Sequence, residues 1–365
     1  MSMRAAVSRA GQPYPVIELV DLEEPRAGEV LVRIVATGIC HTDLRAHQGG
    51  ILPTPHPVVL GHEGAGIVER VGGAVKTLRP GDAVVLSGSS CGVCPSCRRG
   101  VPSYCDQGFP RIFSGRRLDG TSPLSQNGMP LNGSFFGQSS FAEYSIVEER
   151  SAVKAPADVP IGMLGPMGCG IITGAGAVLQ SMHLQTGQSL VVFGVGGVGM
   201  SAVLAARLVG AARIIAVDQN AGRLDLAVDL GATHAVRAGA EVVAEIRKIV
   251  PRGVDRSLNT TSAPAVFDQA VECLAPAGVA AFVTIPRGPW VPDMMRLLTG
   301  GKTLKAIQGG DADPQQFIPM LIEQWQAGRF PFERLIRRYP FDAIGQAFAD
   351  CASGVAVKPV LEIGA

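Results

Sequence analysis

An α/β fold with a doubly wound parallel sheet, joined to a second, mostly β domain, is predicted by three features of this 365-residue chain. From about Gly165 onward, apolar strand-like runs alternate with Ala/Leu-rich helical stretches, the pattern of βαβ units around a parallel sheet. Before about Val153 the chain is rich in Gly and Pro, and short apolar runs such as 30–35 and 83–86 are bounded by turn residues, as in an irregular β domain. The third feature is size: 365 residues with 47% hydrophobic content exceed the usual single domain and supply two cores.

In the α/β part, 190–193 and 213–217 read as strands, and 201–209 and 223–230 as helices, the second closed by Gly231. Strands over 254–258 and 278–285 follow, separated by a helical stretch at 265–274, which completes the two-halved build of a dinucleotide fold. Lys302-Thr303-Leu304-Lys305-Ala306-Ile307-Gln308 reads as a further strand. From Phe317 helical patches lead to a final strand-like 359–363.

Charge narrows the class. With 32 Lys+Arg against 31 Asp+Glu, the formal charge of +1 gives no footprint for nucleic acid or an anionic membrane. The uncharged stretch 190–206 is interrupted by glycines and reads as strand, turn and helix, not as a membrane span. The chain opens with no apolar signal-peptide core, so its cysteines are expected to be reduced, in the cytoplasm. Cys273 and Cys351 read as ordinary buried residues.

The turn Val191-Val192-Phe193-Gly194-Val195-Gly196-Gly197-Val198-Gly199 lies between a strand and a helix, where a dinucleotide fingerprint belongs. Gly194 permits the tight turn, Gly196 lets backbone approach a pyrophosphate, and Gly199 allows close helix–strand packing. The helix start at Gly197 and Val198 attracts phosphate charge. The next strand ends in Asp218, placed to accept ribose hydroxyls and to repel a 2′-phosphate, which favours NAD over NADP; Arg223 softens that preference. A helix cap is the other reading of Asp218.

Cys91, Cys94, Cys97 and Cys105 lie in one short Gly/Pro-punctuated segment, where tight reversals let four thiolates converge on a tetrahedral zinc. A disulfide framework belongs instead to short secreted chains. Cys40, His62 and Cys169 are scattered, which suits a catalytic site whose three protein ligands leave a fourth position open. Singly, each also reads as a packing or hydrogen-bonded residue.

Gly61-His62-Glu63-Gly64-Ala65-Gly66-Ile67-Val68-Glu69-Arg70-Val71-Gly72 resembles the zinc signature of the medium-chain zinc-containing alcohol dehydrogenases. Gly38-Ile39-Cys40-His41-Thr42-Asp43 resembles their first-ligand segment. With the four-cysteine lobe and the glycine turn following in the family's order, the resemblance covers essentially the whole chain. Phe135-Phe136-Gly137-Gln138-Ser139-Ser140-Phe141 and Leu164-Gly165-Pro166-Met167-Gly168-Cys169-Gly170 are similar to the aryl-alcohol, or benzyl-alcohol, dehydrogenase branch.

The resemblance implies a GroES-like catalytic domain over 1–170 with a zinc lobe at 91–105, a Rossmann NAD-binding domain over 171–309, and a segment 310–365 completing the catalytic domain. It implies two zincs per chain: a catalytic ion on Cys40, His62 and Cys169, with Glu63 beside it, and a structural ion on the four-cysteine lobe. Thr42 then takes the substrate proton. Where the family commonly continues its relay with a histidine, this chain has Arg45, so the relay passes through water, passes through His47, or ends early. His41 and Lys358 match positions that contact the cofactor pyrophosphate.

The expected activity is NAD-linked, reversible oxidation of primary aromatic or allylic alcohols such as benzyl or terpene alcohols. Phe109, Phe113, Phe135, Phe136 and Phe141 supply either a bulky apolar pocket or ordinary core. A formaldehyde dehydrogenase acting on glutathione or mycothiol adducts is the nearest alternative, with Arg111, Arg116 and Arg117 as a basic pocket mouth. An inactive zinc-stabilised binding protein is the alternative from another class. A homodimer or homotetramer is expected through the edge strand 302–308.

Overall fold

The computed structural model describes residues 1–49 and 53–363. The chain forms two compact units, Met1–Cys169 with Asp313–Met320 and Leu335–Ala365, and Gly170–Ala312 with Leu321–Arg334.

The first unit is built on two sheets. One runs in the order Val58–Val59, Ser2–Ser8, Val16–Leu22, Leu124–Gln126, Met129–Leu131. The other is centred on Glu29–Gly38, an apolar run buried along most of its length, as an interior strand requires. Gly64–Val71, Tyr144–Glu148 and the C-terminal Lys358–Glu362 all pair antiparallel with it. Val30, Val32, Ile34, Val68, Val84 and Leu86 fill one core of this unit. Phe135, Phe141, Leu60 and Phe348 lie in another.

The second unit carries a six-stranded sheet in the order His234–Arg237, Arg213–Asp218, Ser189–Phe193, Val254–Asn259, Leu274–Phe282, Thr303–Ala306. Every pairing in it is parallel. The order reverses between Ser189–Phe193 and Val254–Asn259, giving the doubly wound topology. Its core includes Val191, Ile215, Val217 and Ala280, and Phe267 stacks on Phe282 with ring centroids 4.9 Å apart.

Local chemistry explains where element bounds differ from the sequence expectation. The helices begin earlier, as Gly197–Leu208 and Ala221–Leu230, because Gly196 and Asn220 act as N-caps. Asn220, not Asp218, caps the second helix, its side chain accepting from the Arg223 N–H. The strand expected over 278–285 starts at Leu274 and runs through Ala275-Pro276-Ala277-Gly278, a turn-like string accommodated by a register shift and a left-handed Ala277 (φ 61°). His234–Arg237 is too short and polar to announce itself as a strand.

The C-terminal segment does not stay with one unit. Leu321–Arg334 belongs to the second, where Leu321, Ile322, Phe330 and Phe332 are buried and Arg334 pairs with Asp229 at 3.3 Å.

Candidate active site

Cys40 leaves the central strand of the first unit and caps the helix His41–Gln48. Its backbone N–H donates to Asp43 Oδ2 (2.9 Å), while Asp43 Oδ1 accepts from the Gly61 N–H (3.1 Å) and from His62 Nδ1 (2.9 Å). Asp43 and His62 side chains are both fully buried. An ionised carboxylate only accepts, so Nδ1 keeps its proton and Nε2 is the nitrogen whose lone pair a metal would take on displacing a proton. Nε2 is buried and has no hydrogen-bond partner in the protein. The Asp43 role was missed in the sequence, although an acid three residues after a helix cap is a local signal.

Cys169 approaches because Gly168 has no side chain: a Cβ there would lie 1.9 Å from the Leu86 carbonyl oxygen. Cys40, His62, Glu63 and Cys169 each bring a ligand atom within 4.8 Å of the others. The Cys169 hydrogen bond holds the Cys40 thiol well below its usual range against the opposing effect of burial, and Cys169 itself is pushed up. Burial opposes charging His62, and Asp43 outweighs it, so the imidazole sits well above its usual range. A buried, orphaned imidazole nitrogen among sulfurs fits zinc, and binding the ion must displace protons.

Glu63 faces Lys358, whose Nζ lies 2.9 Å from each carboxylate oxygen and 3.4 Å from the Ile39 carbonyl. Gly38 makes room, since a Cβ there would lie 2.1 Å from Glu63 Oε2. Lys358, expected at the cofactor pyrophosphate, is thus paired with Glu63. Its strand is interior, leaving the residue 4% exposed, and although burial disfavours the ammonium, Glu63 and Cys40 more than offset that and raise its pKa.

Thr42 Oγ1 lies 3.7 Å from Cys40 Sγ and is half-buried, whereas His41 is exposed at the helix start. His47 is bonded through both ring nitrogens. Its Nε2 donates to the Gln12 carbonyl (2.9 Å), so Nδ1 accepts from the Ser8 hydroxyl (2.6 Å), and burial lowers the ring's pKa. The aromatic group also divides. Phe135 and Phe141 are core residues at 0% exposure and Phe109 is 65% exposed. Half-buried Phe136 stacks on His62 at 4.3 Å, with Phe113 edge-on behind it at 5.6 Å.

In the cysteine lobe, the four sulfurs lie within 4.8 Å of one another, and Cys91 and Cys97 are 3.9 Å apart. Zn–S bonds of about 2.3 Å give a tetrahedral edge of about 3.8 Å. Backbone N–H groups of Cys94 and Cys91 point at Cys91 Sγ and Cys105 Sγ, each at 3.3 Å. The Val93 and Cys94 N–H groups pull the Cys91 thiol down to about 6, favouring the thiolate a metal needs, while burial pushes Cys97 up to about 12.

In the second unit Gly194 ends its strand at φ 83°, and a Cβ on Gly199 would lie 2.0 Å from the Gly194 carbonyl oxygen. Gly196 faces open space, with nothing within 4 Å of an added Cβ, as a cradle for a ligand requires. Gly197 and Val198 open the helix, where N–H groups lack intrahelical acceptors. Asp218 accepts from the Val195 and Asn220 N–H groups, both at 2.9 Å, and Arg223 stands 4.0 Å away. Each carboxylate oxygen keeps a further lone pair for a hydroxyl.

Known proteins resemble the chain throughout. The family "Alcohol dehydrogenase GroES-like domain" matches residues 26–157, and "Zinc-binding dehydrogenase" matches residues 197–323. A geraniol dehydrogenase of Castellaniella defragrans is 47% identical over 99% of this chain and 98% of its own. Among solved structures, an alcohol dehydrogenase zinc-binding domain protein from Burkholderia ambifaria superposes with a TM-score of 0.97 at 48% identity, covering 100% of both chains. Benzyl alcohol dehydrogenase from Acinetobacter calcoaceticus does so with a TM-score of 0.95 at 42% identity, again over 100% of both.

Asp43→Ala is expected to weaken zinc at the Cys40 site by about 10- to 100-fold while the four-cysteine lobe keeps its ion. Chelator competition with metal counting checks this. Lys358→Met strands a buried carboxylate and is expected to cost about 3–5 kcal/mol. Adding Glu63→Gln recovers most of that loss in thermal denaturation of the two variants.

Proposed function

This chain belongs to the medium-chain zinc-containing alcohol dehydrogenase family, and from that premise we propose that it oxidises primary aromatic or allylic alcohols to aldehydes, reversibly, with NAD. The observation that carries the reading is the orphaned, buried Nε2 of His62 beside the sulfurs of Cys40 and Cys169. When bound, zinc supplies the Lewis acidity that lowers a hydroxyl's pKa toward neutrality, and NAD supplies the hydride acceptor.

The chain's own groups do the rest. Cys40 and Cys169, as thiolates, balance the ion's charge, and Asp43 keeps the His62 lone pair aimed at it. Lys358 neutralises Glu63, which limits further negative charge at the centre. Thr42 accepts the alcohol proton. With Arg45 unable to act as a neutral base and His47 bonded to Ser8 and Gln12, the protein relay ends at Thr42 and solvent carries the proton onward. Cys91, Cys94, Cys97 and Cys105 hold a second, structural zinc. Asp218 selects NAD over NADP.

The aromatic or allylic preference is supported by the names of the geraniol and benzyl alcohol dehydrogenases, and by Phe136 lying flat on His62 at 4.3 Å. An anionic thiol adduct is disfavoured. Arg111 is paired with Glu148, and Arg117 with Glu23 and Glu29, which leaves Arg116, bonded to Asn132 Oδ1 and the Gly120 carbonyl, as the one guanidinium of that mouth with no carboxylate partner among the described residues. Eight free cysteines, all but Cys273 and Cys351 in the two metal sets, fit a reducing cytoplasm. Among the described residues no helix is long and apolar enough to cross a membrane.

We also propose a homodimer or homotetramer. Thr303–Ala306 is an edge strand, and Val291 (84% exposed), Met294, Met295 and Leu298 (79%) offer apolar surface on the preceding segment. Leu298→Asp is expected to shift the protein to monomer in sedimentation; an unchanged profile would remove this surface from the interface.

The activity test is kcat/KM on geraniol, benzyl alcohol and ethanol with NAD, and on formaldehyde with and without glutathione or mycothiol. Geraniol and benzyl alcohol are expected to exceed ethanol by at least about tenfold, the discrimination a few methylenes supply. Preference for ethanol, or turnover only with an added thiol, would sink the reading.

A further inference from the structure

We infer that Thr260 is a positioning residue for the cofactor: its hydroxyl latches one peptide unit of the glycine turn from the neighbouring strand. The inference rests on the reading of that turn as the NAD cradle.

Strand Val254–Asn259 lies beside Ser189–Phe193 with Asn259 opposite Phe193, at the point where the strand order reverses. The crevice outside the carboxyl ends of such strands is where ligands bind. One residue beyond the strand, the Thr260 N–H donates to the Phe193 carbonyl (2.9 Å). Its hydroxyl lies 2.7 Å from the Gly194 carbonyl oxygen and 3.1 Å from that of Phe193. Gly194 and this threonine are matched, since a Cβ at Gly194 would lie 2.6 Å from Thr260 Oγ1 and 2.7 Å from Thr261 Cγ2.

The threonine is itself held. Asn259 is fully buried, and its Oδ1 accepts from the Thr261 N–H (2.8 Å) and hydroxyl (3.0 Å), closing a tight turn around Thr260. On the far side of the glycine turn, Asp218 Oδ2 accepts from the Val195 N–H at 2.9 Å. The Gly194 carbonyl and the Val195 N–H belong to the same peptide plane. Thr260 therefore holds one end of that plane and Asp218 the other, and rotating the peptide breaks both bonds.

Two consequences follow. The plane sets the path of the backbone into Gly196 and the helix start, where N–H groups meet a pyrophosphate. It also anchors the Asp218 carboxylate that must receive the ribose. Removing the Thr260 hydroxyl leaves the Gly194 carbonyl short of a donor and lets the plane turn, loosening both contacts together.

The test is equilibrium titration of the zinc-loaded enzyme with NADH, comparing wild type, Thr260→Val and Thr260→Ser. The isosteric valine is expected to weaken NADH binding by about three- to tenfold, the range one hydrogen bond spans. Serine stays within about twofold of wild type, KM for NAD rises with the valine, and KM for the alcohol and zinc content are unchanged. Should the valine protein not fold, Thr260→Cys, a weak donor, gives intermediate affinity. A valine or cysteine variant that binds NADH as wild type does, whatever its melting temperature, overturns the latch. A wild type that does not bind NADH overturns the cofactor reading itself, and the latch with it.

Discussion

The carboxylate of Asp43 is the constraint on which the candidate metal site depends. It gathers the N–H of Cys40, the N–H of Gly61 and the Nδ1–H of His62 onto two oxygens, tying together segments that are 18 or more residues apart in sequence. A buried charge is tolerated only when its acceptor sites are filled, and here the filling groups are those that must be positioned. One interaction thus fixes the helix that begins after Cys40, the turn that carries His62, and the tautomer that leaves Nε2 for a metal. The flat Phe136 ring against His62 and the Gln138 side chain, which bonds the His62 carbonyl (3.1 Å) and the Gly64 N–H (3.1 Å), hold the other sides of the same residue.

The Glu63–Lys358 pair shows a second route by which distant sequence converges. The C-terminal strand Lys358–Glu362 pairs with the end of Glu29–Gly38, bringing a lysine 295 positions away onto the residue that follows His62. Nothing in the local sequence around Lys358 announces this. An interior strand places alternate side chains on a packed face, and a lysine there must find a buried carboxylate or lose its charge.

The fold was legible where chemistry repeats over many residues. Apolar strands alternating with helical stretches announced the parallel sheet, and the glycine turn announced the tight passage from strand to helix, because both patterns are enforced by local backbone geometry. The cysteine lobe was legible for the same reason, since its four ligands share one short segment. Asp43, Gln138 and Thr260 were not, because each acts through hydrogen bonds to residues far away in the chain. The split of the C-terminal segment was also hidden. Leu321, Ile322, Phe330 and Phe332 are as apolar as any core stretch, and hydrophobicity does not say which core receives them.

The polar residues around Thr42 bear on how a proton leaves such a centre. A histidine serves as a relay only if one ring nitrogen can take up a proton while the other gives one away. In His47 the Gln12 carbonyl demands a proton on Nε2 at all times, which leaves Nδ1 to accept from Ser8, and burial keeps the ring neutral. Protonating Nδ1 would create a buried cation with no carboxylate bonded to either nitrogen. His47 is therefore held as a structural hydrogen-bonding group, by the same kind of tautomer control that Asp43 exerts on His62 to the opposite end. One carboxylate partner frees a ring nitrogen for chemistry, and one carbonyl partner with a hydroxyl withdraws it.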